Sequence, residues 1–475
     1  MEGKVKFFDK SLLTIHDEKG KLTLFGLAIP LFFESIGTHI IGVVQTMMAS
    51  NFMDGFFVSA TNIANAVLTP FISLISIVCV GMAIILSINI GRNKLEDCKS
   101  IAGTAIIANF VLVILFNLII LIFAKELLAF MGYTGEEYAE KLPYAIKYMR
   151  LRVIPNIIGY CASVFHSILR CYGHTKVGIY TVVVANCVNA LLSALFFFVM
   201  NPLKENVIIG LVAIQIIANS INFILTLIVL LKKKIPVKLE VNFGWLKTIL
   251  KLGVPASIAS IAYNVSSLIN TKICVSLGES YYDAVIFINQ IVYFVYIFGL
   301  QLGTANSLML GRLCGMQQLE RADKMHRQNY FIVVGINVCL SLIVALFGSL
   351  ILKYAYNAST VVIAIAMPIF WIDVLVEICR GMNHMGQFGL NATGDVLFTT
   401  CVSTISAFAC SVGLAYLFGI VFNLGLVGIW LAFFIDEGFR GVLYLCRWIK
   451  GRWKNSFKHE LEELQKEEEM QHQRA

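Results

Sequence analysis

Asp373, Glu377 and Arg380 lie inside a mainly apolar run from Val361 to Leu390. Their spacing of i, i+4 and i+7 puts all three on one face of a helix. If that helix spans a bilayer from near Val361, Asp373 sits roughly 18 Å down, close to mid-depth. Ionisable groups at that depth are costly and mark ion or substrate sites. A carboxylate there can bind a proton or cation in one state and release it in another. Burial raises its proton affinity, and a nearby guanidinium lowers it. Two carboxylates one turn apart could share a proton or hold Na⁺. The competing reading is structural: a salt bridge from Arg380 to Glu377 that locks this part of the fold.

Other polar groups fall inside apolar runs. Glu34 is the one acid of the first run, with His39 and Gln45 further along. It is a second coupling candidate, or else an interhelical hydrogen bond near a kink at Pro30. His39 alone reads as a satisfied interior histidine. Asp436, Glu437 and Arg440 form another cluster near the C-terminus. Asp436 and Arg440 are one turn apart, which suits a structural ion pair. Gln45, Asn186, Asn189, Tyr263, Asn264, Gln290 and Arg380 are candidates to support or line a substrate path. Interhelical amide hydrogen bonds, worth about 1 kcal/mol each, are the alternative for the amides.

The elements that would position these groups follow from composition. The chain has 475 residues, 58% hydrophobic and 14% charged, with mean hydropathy +0.79. A soluble protein carries about 25% charged residues. The reading is an all-α, polytopic membrane protein. Its twelve cysteines include no CxxC pair and no Cys/His cluster at zinc spacing, so no metal site is expected. No cleavage site follows a short apolar core, and the first apolar run reads as a retained helix.

Twelve membrane helices are expected, near 22–50, 57–90, 101–128, 143–169, 177–200, 207–231, 248–277, 284–310, 328–353, 361–390, 396–420 and 422–446. The implied layout is an N-terminal cytoplasmic segment at 1–21, an N-lobe at 22–231, a linker at 232–247, a C-lobe at 248–446 and a cytoplasmic tail at 447–475. The tail is Glu-rich and reads as a solvated helix or a disordered segment. Lys and Arg alternate between loops. They crowd the N-terminus, Arg92–Lys99, Arg170–Lys176, Lys232–Lys251, Arg312–Arg327 and the tail. Asp54, Glu136–Glu140 and Glu279–Asp283 make the other loops acidic. Both termini are therefore placed in the cytoplasm. The net charge of +8 is topological, which argues against a nucleic-acid partner.

An internal repeat is visible. Leu27-Ala-Ile-Pro30 recurs as Leu252-Gly-Val-Pro255, Gly91-Arg92 as Gly311-Arg312, and Leu169-Arg-Cys-Tyr-Gly-His174 as Leu390-Asn-Ala-Thr-Gly-Asp395. The copies lie about 220 residues apart, six helices each, which makes a parallel repeat of a kind used by secondary transporters. With these marks stand Pro30-Leu-Phe-Phe-Glu34, Ile168 to Lys176, Ile372 to Arg380, Leu426-Val-Gly-Ile-Trp430, Asp436-Glu437 with Arg440, and Arg447 to Trp453. In this order the chain resembles the multidrug and toxic compound extrusion (MATE) family of drug/cation antiporters, from about Leu22 to Lys454.

The resemblance implies two six-helix lobes forming a V-shaped cleft, with substrate moving through it by alternating access. Gln45 stands where the family commonly has an aspartate. Asn186 and Asn189 keep its Asn-x-x-Asn pair, Ser193 replaces an acid or amide, and Ala259, Tyr263 and Asn264 fill a face that often carries an acid. The expected function is export of cationic or amphipathic organic compounds, driven by Na⁺ or H⁺ through Asp373, Glu377 and Glu34. No cofactor is expected. The partners are a small-molecule substrate and the bilayer of a bacterial cytoplasmic membrane, and the protein is read as a monomer. A lipid-linked precursor flippase would need a cationic cavity, for which Arg150, Arg152 and Arg380 are the candidates. An intramembrane prenyltransferase would need a second acidic motif beside Asp373-x-x-x-Glu377, and none is present; HExxH and GxSxG are absent too.

Overall fold

Long apolar runs cannot leave backbone N–H and C=O groups unpaired in a bilayer, so they must close their hydrogen bonds within helices. The computed structural model shows this outcome. It describes residues 9–17, 20–52, 55–130, 133, 140–200 and 204–474, except the side chains at 41–59, 62, 66, 70–72, 204, 205 and 467–474. The side chain of Gln45 thus lies outside the described residues, as do Asp54 and Glu136–Glu137, on which part of the topology reading rests.

The helices are α1 (Leu24–Phe52), α2 (Gly55–Ile75), α3 (Ile77–Gly91), α4 (Leu95–Phe130), α5 (Leu142–Cys171), α6 (Lys176–Ala194) and α7 (Lys204–Lys232). After them come α8 (Phe243–Ser276), α9 (Glu279–Gly315), α10 (Leu319–Tyr354), α11 (Thr360–Ala392), α12 (Val396–Ser406), α13 (Gly425–Ile449) and α14 (Arg452–Arg474). Two of them run on as π-helical turns, α6 to Val199 and α12 as far as Val421 with a short interruption. Among the described residues, nine helical stretches are long and apolar enough to cross a membrane. Neither α5 nor α13 is among them. Arg150, Arg152, Asn156, His166 and Arg170 make α5 more polar, and α13 carries Asp436, Glu437 and Arg440.

The repeat is legible in the turns. Gly173 and Gly394 both take φ of 83°, which a residue with a side chain resists. Each closes the same loop. His174 N donates to Leu169 O at 2.8 Å, and Asp395 N donates to Leu390 O at 2.9 Å. At the other repeated turn the backbone moves the register. Asn93 and Gln317 share left-handed φ of 57° and 60°. Gly91-Arg92-Asn93 therefore matches Gly315-Met316-Gln317, one helical turn beyond the Gly311-Arg312 match read from sequence.

The chain forms two compact units. The first comprises Met1–Ile29, Ser87–Lys94 and Val254–Ala475. In it α11 packs on α9, α10 and α13, around a core that includes Ile288, Ile369, Phe370, Val376 and Ile429. The second comprises Pro30–Leu86 and Leu95–Gly253. There α5 packs on α2, α4 and α7, with Val67, Ile120, Met149 and Phe197 buried. In this second unit the segment between α7 and α8 lies along α4. Lys238 N donates to Lys99 O at 3.1 Å, and Thr104 Oγ1 donates to Glu240 O at 3.1 Å.

The described segments nearest the two ends, 10–17, 20–23 and Arg452–Arg474, carry regular structure. β1 (Thr14–Asp17) pairs antiparallel with β2 (Gly20–Thr23), with Ile15 opposite Leu22 and both buried. Arg321 of α10 donates to Thr14 O at 3.0 Å. The Glu-rich tail, expected to be a solvated helix or disordered, is the helix α14, and it differs from the expectation in having one buried face. Trp453, Phe457, Glu460 and Leu464 fill that face at helical spacing. Trp453 stacks on Trp448 at 4.4 Å and 8°. Trp448 in turn donates from Nε1 to Asp323 Oδ1 at 2.8 Å.

Candidate functional site

Helix α11 begins at a proper cap, where Ser359 Oγ accepts from Val362 N at 3.3 Å. Four to six turns later it presents Asp373, Glu377 and Arg380 to α13 and α10. Asp373 is 2% exposed and Glu377 0%. Arg380 pairs with Glu377 through Nη1 and reaches Glu437 Oε1 from Nε at 3.4 Å. Its guanidinium also lies over the Tyr296 ring, 5.7 Å from the centroid. On α13, Arg440 pairs with Asp436 and comes within 3.5 Å of Glu437 Oε1. Glu437 thus bridges the two arginines, and so joins the two clusters that the sequence reading kept separate.

Neutral donors complete the shell. Asn337 Nδ2 donates to Glu377 Oε2 at 3.1 Å, Asn383 Nδ2 to Glu437 Oε2 at 2.6 Å, and Ser406 Oγ to Asp436 Oδ1 at 2.5 Å. Asp373 differs from the other three acids. It accepts from Trp430 Nε1 at 3.2 Å, and among the described residues no guanidinium lies within ion-pair distance of it. The cluster therefore holds four carboxylates against two guanidiniums. Buried in low dielectric, such an excess of negative charge must be met by protons or bound cations.

Asp373, Arg380, Asp436 and Glu437 border a cavity of about 130 Å³, which Tyr263 and Asn270 also line. Asn270 donates to Ser411 Oγ at 2.9 Å across it. A space of that size holds a few waters or a hydrated small ion. Of the expected lining residues, Tyr263 and Arg380 reach this cavity. On α9 it is Asn289 that borders it, and not Gln290; Asn264 lies off it as well.

The remaining candidates belong to the second unit. Glu34 is buried, and its Oε1 accepts from Arg170 Nη2 at 2.6 Å. His166 Nδ1 stands 3.5 Å from the same oxygen. Gly178 makes room for this arrangement, because a Cβ there would fall 2.2 Å from Glu34 Oε2. Asn189 accepts from Ser193 Oγ at 3.3 Å, and Asn186 Nδ2 is buried beside Gly37. The carboxylates of α11 and Glu34 thus occupy different units.

Sequence reasoning missed Asn337, Asn383, Ser406 and His166. Amides, hydroxyls and lone histidines are common in membrane helices, and nothing in their spacing singles these four out. Trp430 stood out only within a motif, and not as a donor to Asp373.

Comparison with known proteins agrees with this architecture. The family model described as MatE matches residues 30–195 and 255–417. The chain is 26% identical over 437 residues to "Uncharacterized transporter YisQ" of Bacillus subtilis (strain 168), covering 91% of this chain and 94% of that protein. It is 22% identical to "Probable multidrug resistance protein NorM" of Thermotoga maritima, covering 91% and 92%. Among solved structures, the outward-facing conformation of a multidrug resistance MATE family transporter of the MOP superfamily superposes with TM-score 0.82 at 18% identity. That match covers 92% of this chain and 96% of the other. Two separate stretches of family match, in two halves that share one turn geometry, establish that the chain belongs to the MatE family of transporters.

Proposed function

We propose that the protein exports cationic or amphipathic organic compounds across the bacterial cytoplasmic membrane by antiport with Na⁺ or H⁺. In this reading the chain crosses the bilayer twelve times as a monomer of two six-helix lobes, 22–231 and 248–446. Both termini lie in the cytoplasm. The supporting observation is the charge imbalance around Asp373, a buried acid facing a polar cavity with no cation of its own among the described residues. Such a group is suited to take up a proton or Na⁺ in one state and lose it in another. Glu377 and Glu437, held by Arg380, keep that arginine from neutralising Asp373.

Coupling energy is adequate for uphill export. One charge crossing 100 mV supplies about 2.3 kcal/mol, and one pH unit about 1.4 kcal/mol. The acidic balance of the cavity disfavours the flippase reading, since a pyrophosphate needs a cationic site. Names of relatives such as "Probable multidrug resistance protein YoeA" point the same way. The test is transport of a fluorescent cationic dye by purified protein in liposomes, with Na⁺ and pH gradients imposed separately. Uphill dye movement with either gradient supports antiport. Movement with neither, in protein shown to bind the dye, sinks it.

A further inference from the structure

A guanidinium keeps its charge at any ordinary pH and has only donors to offer, so inside a membrane layer it needs an acceptor, and best an anion. In the second unit, Arg170 and Arg152 of α5 meet that need differently. Arg170 is paired with Glu34 at 2.6 Å. Arg152 donates from Nη1 to the Tyr148 hydroxyl at 2.7 Å and lies over that ring, 5.5 Å from its centroid. Both contacts are to a neutral phenol. The Nε of Arg152 is buried without a hydrogen-bond partner. Among the described residues no carboxylate lies within ion-pair distance of it, and Glu34 is taken by Arg170. The positive charge of Arg152 is therefore uncompensated, which is costly in a low-dielectric setting.

The depth of Arg152 makes that setting concrete. It lies about 15 Å along the axis from the first residue of α5. Tyr148, Met149 and Val153 beside it share one buried cluster with Ile120 and Ala124 of α4. Next to these on α4, Leu118, Leu121 and Ile122 are exposed, as befits a face that meets lipid tails. Arg152 itself is only half-buried, so a ligand can reach it. Tyr148, Arg152, Asn156 and Tyr160 follow one another at four-residue spacing, which makes a polar line along α5. Tyr160 is within electrostatic reach of Arg152. Phenols and an amide orient a ligand, but they bring no charge to balance the guanidinium.

We propose that Arg152 anchors an anion-binding site in the second unit, which takes one monoanionic group, a carboxylate, sulfonate or phosphodiester, carried on an apolar body. The N–H groups not given to Tyr148 belong to a planar fork, and such groups accept from that fork in pairs. A single guanidinium matches a single negative charge; a pyrophosphate would ask for more. The apolar cluster around Met149, Val153 and Ile120 suits the rest of the ligand. An anionic phospholipid and an amphipathic exported compound both offer this chemistry. The site does not rest on the antiport reading, which concerns Asp373 in the first unit.

The test is binding of radiolabelled octanesulfonate to the full chain in phosphatidylcholine nanodiscs, with octanol and octyltrimethylammonium as neutral and cationic analogues of equal chain length. The wild type should bind octanesulfonate saturably and at least about tenfold more tightly than octanol. Equal affinity for the two overturns the proposal without any variant. Arg152→Gln should weaken octanesulfonate at least about tenfold and change octyltrimethylammonium by less than about twofold. Arg152→Lys keeps the charge without the fork and should fall between. Unchanged octanesulfonate binding in monodisperse Arg152→Gln also overturns the proposal. Phosphatidylglycerol added to the discs separates the sources. If a lipid headgroup is the occupant, it lowers the apparent affinity of the wild type for octanesulfonate; if a soluble amphiphile is, the affinity stays as it was. Loss of dye export in Asp373→Asn bears on the first unit alone, so the two readings fail separately.

Discussion

Asp373 and Glu377 lie one turn apart on α11, yet of the two only Glu377 has a guanidinium against it. The same helix face therefore offers one acid fixed by Arg380 and one held by the indole of Trp430. The two should respond differently to removal of charge.

Asp373→Asn keeps the shape of the side chain and the acceptor for Trp430. The expected outcome is normal monodisperse yield in detergent with gradient-driven dye efflux reduced at least about tenfold, a loss of about 1.4 kcal/mol or more in coupling. Glu377→Gln should lose efflux and stability together, because Arg380 is then left with one carboxylate, Glu437 at 3.4 Å. Wild-type uphill transport in both variants would move the coupling site elsewhere.

Asp436 and Arg440 test the structural assignment on α13. Removing one partner of a buried ion pair costs about 3–5 kcal/mol, and removing or exchanging both costs less. Asp436→Asn and Arg440→Gln should each lower the yield of folded protein, and Asp436→Arg combined with Arg440→Asp should restore part of it. Glu437 also touches Arg440, so restoration will be incomplete. Normal yield with no efflux in Asp436→Asn would make Asp436 an ion ligand instead.

Helix α14 should be part of the fold and not an appendage. Phe457→Ala empties a buried position and is expected to cost about 3 kcal/mol. Trp448→Phe removes a hydrogen bond to a carboxylate and is expected to cost about 2 kcal/mol. Thermal midpoints of the purified protein measure both. Unchanged midpoints would return the tail to the solvated state expected from its composition.

Topology has a direct check. In a cysteine-free background, a single cysteine near Lys233 should react with an impermeant maleimide in inverted vesicles, while one at Tyr281 should react in intact cells. The opposite pattern would invert the orientation.

Charges in apolar runs were readable because each is an exception in its neighbourhood. That is how Asp373, Glu377, Arg380, Glu34 and Asp436 stood out. The pairs within each helix, Arg380 with Glu377 and Arg440 with Asp436, were readable from spacing; the link between them was not, since Glu437 joins Arg380 to Arg440 only when α11 lies beside α13. The spacing of Trp453, Phe457 and Leu464 was available in the tail, but the Glu run drew the reading toward solvent. The hairpin of β1 and β2 has four residues per strand, too few to show a period. The Gly91 repeat slipped by a turn because an identical Gly-Arg pair sits at Gly311, and only backbone angles place Gln317 opposite Asn93.

The twin turns at Gly173 and Gly394 end on different residues. After Gly394 comes Asp395, which Arg447 grips with two of its nitrogens, Nε and, at 2.8 Å, Nη2. After Gly173 comes His174. One inherited loop has thus become a tether in one copy, tying down the end of α13, while the other copy offers an imidazole at the same place. Duplicated scaffolds diverge most cheaply at such points, where the backbone is fixed by glycine and the next position takes a different side chain in each copy. Exchanging the six residues 169–174 with 390–395 would separate what the loop does by shape from what it does by charge.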